Sequence, residues 1–217
     1  MNEVSKEVLF NLLGQTLILH PLKSIYWKEQ EALIISDLHL GKAAHFRKSG
    51  IPIPAEIHYH DFRNMNVLVS KYSPKTIIFL GDLFHSDYNE EWTDFIQWIE
   101  TQGKVRIVLV RGNHDVLDDS LYQLPNFEVM ESWNLSPFLF THETVDSDEY
   151  NISGHVHPAI RLQGSARQGV TLPCFYFDER SALMPSFGNF TGGYKIKPAK
   201  SSRIFAVAED NIIALVG

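Results

Sequence analysis

Short apolar runs recur through the first half of the chain, each cut off by polar residues. Ala32 to Ser36 stops at Asp37-Leu38-His39, Thr76 to Leu80 at Gly81-Asp82, and Val105 to Val110 at Arg111-Gly112-Asn113-His114-Asp115. Runs of this length, rich in Ile and Val and bounded by glycine or charge, predict buried strands. Between them the apolar spacing lengthens. Ile57, Phe62, Met65, Leu68 and Val69 recur every three to four residues and predict a helix over 55–72, ended by Ser73-Pro74. Trp92, Phe95, Ile96 and Ile99 predict a second helix over 90–102, with Asn89 as its N-cap and Gly103 as its stop. Thr16 to His20 and Ser24 to Trp27 read as two short strands ahead of the first run.

The second half loses the helical spacing. Phe127 to Met130, Phe138 to Thr141, Tyr150 to Ser153, Ala159 to Gln163, Val170 to Phe177, Ala182 to Met184, Arg203 to Ala208 and Ile212 to Val216 all read as strands. Strand–helix–strand units followed by a strand-rich half imply two packed sheets with helices outside, in place of one doubly wound sheet. No linker breaks the pattern, so residues 1–217 are expected to form one domain. Two stretches read as loops: Gly41 to Pro54, where Pro52 and Pro54 rule out a helix interior, and Pro185 to Lys200.

Composition narrows the setting. The chain has 217 residues and a net charge of −7, which argues against broad nonspecific binding to nucleic acid but leaves a metal-assisted phosphate site open. The single cysteine, Cys174, has no internal disulfide partner and is expected to be buried packing. The first residues lack a signal-peptide pattern and no apolar run reaches transmembrane length, so a cytoplasmic protein without membrane contact is the expectation.

The polar residues that stop the strands then form a set. Asp37 and His39 follow one run, Asp82 the next, Asn113 and His114 the third; His142 follows Phe138 to Phe140, and His155 and His157 follow Tyr150 to Ser153. On an extended segment Asp37 and His39 would face one side together. In open α/β sheets, ligands gather outside the carboxyl ends of the strands. Gly81, Gly112 and Gly154 directly precede three of these residues, where a missing side chain permits a tight turn or close backbone approach. Carboxylate and imidazole donors with one amide oxygen suit Mn, Fe or Zn, and no thiolate joins them as in a structural zinc site. Two such ions about 3.5–4 Å apart share a carboxylate and attract a phosphodiester.

In order and spacing, Asp37-Leu38-His39, Gly81-Asp82, Gly112-Asn113-His114-Asp115, His142 and Gly154-His155-Val156-His157 resemble the motifs of the calcineurin-like metallophosphoesterases. The resemblance implies a four-layer α-β-β-α sandwich of two mixed sheets with flanking helices. It implies two divalent ions, manganese first and iron or zinc as alternatives. Asp37, His39 and His157 would hold the first ion and Asn113, His142 and His155 the second, with Asp82 bridging. A metal-bridging hydroxide would be the nucleophile. His114 would stabilise the transition state or protonate the leaving oxygen, and Asp115 would orient it; the alternative for Asp115 is a turn residue bonding backbone.

The stretch Ser36 to Pro54, with Gly81 to Ser86 and Ser153 to Pro158, is similar to a narrower group, the bacterial DNA-ligase-associated phosphoesterases. That resemblance implies a DNA endonuclease linked to repair and associated with a ligase and a helicase. His85, in Gly-Asp-Leu-Phe-His, also matches a histidine that positions the phosphodiester in repair nucleases. Lys42, His45, Arg47 and Lys48 lie beside the ligands and are candidate phosphate contacts, with a solvated charged loop as the alternative. Two other readings stay open: a phosphoesterase of small molecules, and a metal-free protein-binding scaffold.

Overall fold

The computed structural model describes residues 3–42, 50, 57–85, 90–163, 169–189 and 191–215. Two mixed sheets face each other, as the sequence implies. The seven-stranded sheet runs in chain order through β2 (Val8–Leu12), β3 (Gln15–His20), β4 (Ser24–Trp27), β5 (Ala32–Ile35), β6 (Thr76–Leu80), β7 (Arg106–Val110) and β8 (Phe127–Met130). Its first four strands form an antiparallel meander, and β5 to β8 are parallel. Helix α1 (Ile57–Tyr72) joins β5 to β6, and α2 (Glu90–Thr101) joins β6 to β7.

The second sheet has ten strands. Its path is β1 (Glu3–Ser5), β17 (Asn211–Leu215), β16 (Arg203–Ala208), β13 (Gly169–Phe177), β14 (Ser181–Leu183), β11 (Tyr150–Ser153), β10 (Phe138–Phe140) and β9 (Trp133–Leu135). A ribbon of β12 (Pro158–Gln163) and β15 (Tyr194–Lys195) branches from β13.

Strands β5, β6 and β7 are apolar without interruption because both of their faces are covered. Ile34, Ile78, Leu80 and Val110 point between the sheets, where they meet Phe138, Phe140, Ile152 and Phe175. Leu33, Ile35, Ile77, Phe79 and Leu109 point the other way, against Phe62, Met65 and Leu68 of α1 and Trp92, Phe95 and Trp98 of α2. The outer face of the ten-stranded sheet is covered differently. Among the described residues, Ile160, Leu162 and Ile196 lie over Cys174, Ile204 and Ala206 there, so strand and loop take the place of a helix.

Four strands escape the sequence reading. β2 buries Phe10 and Leu12 but leaves Leu9 72% exposed, so its alternation is blurred at a sheet edge. β1, β9 and β15 have two or three residues each, too few to show a period. No helix among the described residues is long and apolar enough to cross a membrane.

Candidate metal centre

The carboxyl ends of β5, β6 and β7 in one sheet meet those of the parallel pair β10 and β11 in the other. Past their last sheet residues, β5 and β6 stay zipped. Asp37 N donates to Gly81 O (3.2 Å), His39 N to Asp82 O (2.8 Å), Leu40 N to Leu83 O (3.0 Å), and His85 N back to Leu40 O (2.7 Å). This zipper fixes Asp37 and His39 against Asp82 and His85. Asp37 and His39 do share one side, but not as alternate residues of an extended strand: both have φ of 51°. Asp82 (48°), His155 (63°) and His157 (51°) are left-handed too. Each such residue costs on the order of 1–3 kcal/mol and persists only where surrounding bonds over-determine it.

Two donor groups result. In the first, His157 Nε2 lies 3.2 Å from Asp37 Oδ1 and 3.4 Å from His39 Nε2. In the second, His142 Nε2 lies 3.1 Å from His155 Nδ1, 3.1 Å from Asn113 Oδ1 and 3.4 Å from Asp82 Oδ1. The other oxygen of Asp82 faces the first group, 3.7 Å from His39 Nε2. One carboxylate thus looks into both groups.

Hydrogen bonds on the far side of two rings set what faces inward. His142 Nδ1 donates to Leu80 O (3.0 Å) and His157 Nδ1 to Gly192 O (3.1 Å). In the neutral ring each donation leaves Nε2 as a lone pair aimed at other acceptors. Acceptors converging on acceptors repel unless a cation sits among them, so the residues fit divalent ions. Electrostatics agree. Burial, then Lys42 and the neighbouring imidazoles, drives His39 down to about 2, so it is neutral and ligand-ready. Burial works to lower His157 as well, yet the Asp37 carboxylate outweighs it and the pKa is raised: the spot favours positive charge.

The glycines serve close approach. A Cβ on Gly81 would strike the His142 ring, one on Gly112 the Asp82 backbone and carboxylate, and one on Gly154 both Ser36 Oγ and Asp37. With that space open, His155 N reaches both Asp37 oxygens (3.2 and 3.1 Å), and Ser36 Oγ donates to Asp37 Oδ2.

The remaining candidates fall at differing distances from the groups. His114 is half-buried at the mouth, its backbone N donating to Asp82 Oδ1 (2.9 Å). Its ring lies 4.5 Å from that of His85 and 5.7 Å from that of His39, between centroids. Asp115 is buried, and its oxygens accept from Phe84 N (3.1 Å) and Gly112 N (2.8 Å). These are backbone amides, so the described bonds of Asp115 match the turn-residue alternative and brace the turn that carries Asn113 and His114. Lys42 is half-buried; burial lowers its pKa, against the pull of Asp82 and Asp37. His45, Arg47 and Lys48 lie outside the described residues.

Sequence reasoning marks Pro185 to Lys200 only as a loop and misses that its described residues 185–189 and 191–193 form a strap that closes the first group. Ser186 Oγ (2.8 Å) and Gly188 N (3.2 Å) both donate to Asp37 O, Phe187 N donates to Ser36 O (2.8 Å), and Gly192 O holds His157. Glu91 Oε2 was missed likewise; it accepts from Gly41 N (2.6 Å). The strap acts mostly through backbone, so no reactive residue type advertises it. Paired glycines beside a Ser and an Asn were the only signal.

Asn189 pins the strap to α1, donating to Asp61 Oδ1 (2.6 Å). Burial pushes Asp61 up to about 7, against the attraction of Lys23, which burial draws down to about 8. The folded state therefore keeps a proton that the unfolded chain has lost, so stability is full below about pH 4 and falls as pH rises toward 7. Asp61→Asn keeps an acceptor for Asn189 and removes the titration. Its melting temperature should exceed wild type by a few degrees at pH 8 and match it at pH 4. The same difference at both pH values would rule out this source of the pH dependence.

The comparisons with known proteins agree with this geometry. A family model described as calcineurin-like phosphoesterase matches residues 32–195. Among solved structures the chain is similar to the nuclease MPE of Pseudomonas putida, with 29% identity over 96% of this chain and 100% of that one, and a TM-score of 0.79. Yfce, a phosphoesterase from E. coli, is similar at 15% identity over 83% of this chain and 95% of that one, with a TM-score of 0.44. The curated proteins give no match.

Proposed function

The chain belongs to the calcineurin-like phosphoesterase family, and from that membership we propose a two-metal phosphodiesterase that cuts DNA internally, in the setting of repair. One observation carries the reaction: two groups of inward-facing donors share the Asp82 carboxylate. Support for DNA comes from the full-length similarity to a nuclease and from the Ser36 to Pro54 stretch. Asp37, His39 and His157 would hold one ion and Asn113, His142 and His155 the other; the family resemblance puts manganese first, and this oxygen and nitrogen set accepts iron or zinc as well.

When bound, the two ions supply Lewis acidity toward a phosphoryl oxygen and lower the pKa of a water. The chain's residues do the rest. Asp82 fixes both positions relative to each other, and through His114 N it ties the turn after β7 to the same carboxylate. Asp115 stiffens that turn from behind. His114 then projects beside the donor groups, where its imidazole contacts a phosphate oxygen or hands a proton to the leaving oxygen. His85, its ring tilted against that of His114, positions the same phosphate.

His114→Ala should lower kcat on plasmid DNA about 10²–10³-fold. The loss should be smaller on bis-p-nitrophenyl phosphate, whose leaving group needs little protonation. An unchanged kcat on plasmid would remove His114 from the reaction. If metal-loaded wild type hydrolyses nucleotides but leaves plasmid intact, the small-molecule reading takes over.

A further inference from the structure

The chain is acidic overall, yet its charge is unevenly placed. No Asp or Glu occurs between Glu149 and Asp178 or between Glu179 and Glu209, whereas Arg161, Lys195, Lys197, Lys200 and Arg203 do. Arg161 and Lys195 fall on the β12–β15 ribbon, and Lys197 lies just past the end of β15. Ala159 pairs with Lys195, and the parallel register carried on by Ile196 N to Ala159 O (3.0 Å) brings Lys197 beside Arg161. Ile160, Leu162 and Ile196 face the apolar cluster beneath, so Arg161, Lys195 and Lys197 share the opposite face, where all three are exposed. Among the described residues, no ion pair uses Arg161, Lys195 or Lys197.

The ribbon starts at the metal centre. Both of its strands begin at His157: β12 follows it directly, and Tyr194 N donates to His157 O (2.9 Å). At about 3.3 Å per residue, Lys195 stands roughly 7 Å from His157, and Lys197 and Arg161, side by side, roughly 13 Å. Tyr194, at the root, is 67% exposed. It lies on the free edge strand of the ribbon, and because strand residues alternate in direction, ring and ammonium groups flank that edge on opposite sides.

We propose that this edge is the track for a single strand of polynucleotide leaving the first donor group, its phosphates along Lys195, Lys197 and Arg161 and a base stacked on Tyr194. A line of cations beside an exposed aromatic suits one strand with unpaired bases, since stacking needs a free base face. The sequence of both ribbon strands and their flanks carries no acid, which lets a chain of net charge −7 accept a polyanion there. The inference rests on the phosphodiesterase reading of the metal centre.

The test compares metal-loaded wild type with a variant carrying Arg161→Glu, Lys195→Glu and Lys197→Glu. Substrates are a single-stranded DNA oligonucleotide, a blunt duplex and bis-p-nitrophenyl phosphate. KM for the single strand should rise at least about tenfold, and the slope of log(kcat/KM) against log salt should flatten by about 2. Turnover of bis-p-nitrophenyl phosphate should stay within about twofold. Tyr194→Ala should raise KM about tenfold with an unchanged salt slope. A triple variant that hydrolyses the small diester and keeps wild-type KM and salt slope on the single strand would overturn the track. So would an equal loss on the blunt duplex, which has no free base face. If wild type turns over none of the three substrates, the phosphodiesterase reading falls first and takes the track with it.

Discussion

Asp82→Asn should cut phosphodiester turnover by at least about a thousandfold while leaving the fold intact. The carboxylate is 2% exposed and looks into both donor groups, with Oδ1 toward His142 and Oδ2 toward His39. Asparagine keeps the shape and still accepts from His114 N, but it removes the one charge both ions would share. Metal ions contribute several kcal/mol of transition-state stabilisation, and about 4 kcal/mol corresponds to roughly 10³ in rate. Elemental analysis should find less than two ions per chain, and circular dichroism should be native. A folded variant within tenfold of wild type on bis-p-nitrophenyl phosphate would show that Asp82 does not bridge.

Stripping the protein of metal should lower its melting temperature by about 10 °C, and re-addition of manganese should restore it. Ions at a thousandfold their dissociation constant stabilise by about 4 kcal/mol, which at this chain length is roughly 8–16 °C. The structural reason is local. Five left-handed residues of the two donor groups, facing lone pairs and two buried carboxylates are held together at a cost that a cation would offset. Equal melting with and without metal, by calorimetry, would mean that hydrogen bonds alone hold the centre and that binding is weak.

The two predictions draw on residues that differ in how legible they were. Ile34, Ile78 and Leu80 announced their strands because apolar runs covered on both faces have no polar alternation to confuse them. Asp37, His39, Asp82, His142, His155 and His157 were legible because each donor type follows directly on such a run, and the two groups the structure assembles are drawn from them. Glu91 and the closing strap were not. Glu91 sits in the first turn of an amphipathic helix, where an acid is unremarkable, and Gly188 contributes only a backbone amide. The placement of Asp37 and His39 on one side was anticipated on a mistaken premise. Extended alternation would turn them together, but left-handed backbone does it, and side-chain type carries no trace of that. The ribbon's charge is visible in sequence only once Ala159 is known to pair with Lys195.

The seam between the sheets has a consequence for synthesis. Asp37, His39, Asp82 and Asn113 emerge from the ribosome with the seven-stranded sheet, whereas His142, His155 and His157 come later, and the strap that fixes Asp37 and His157 comes later still. Neither donor group is complete in a chain shorter than about three-quarters of its length. A nascent or truncated product that stops short of His155 thus completes neither donor group; the groups come together only when the second sheet closes on the first.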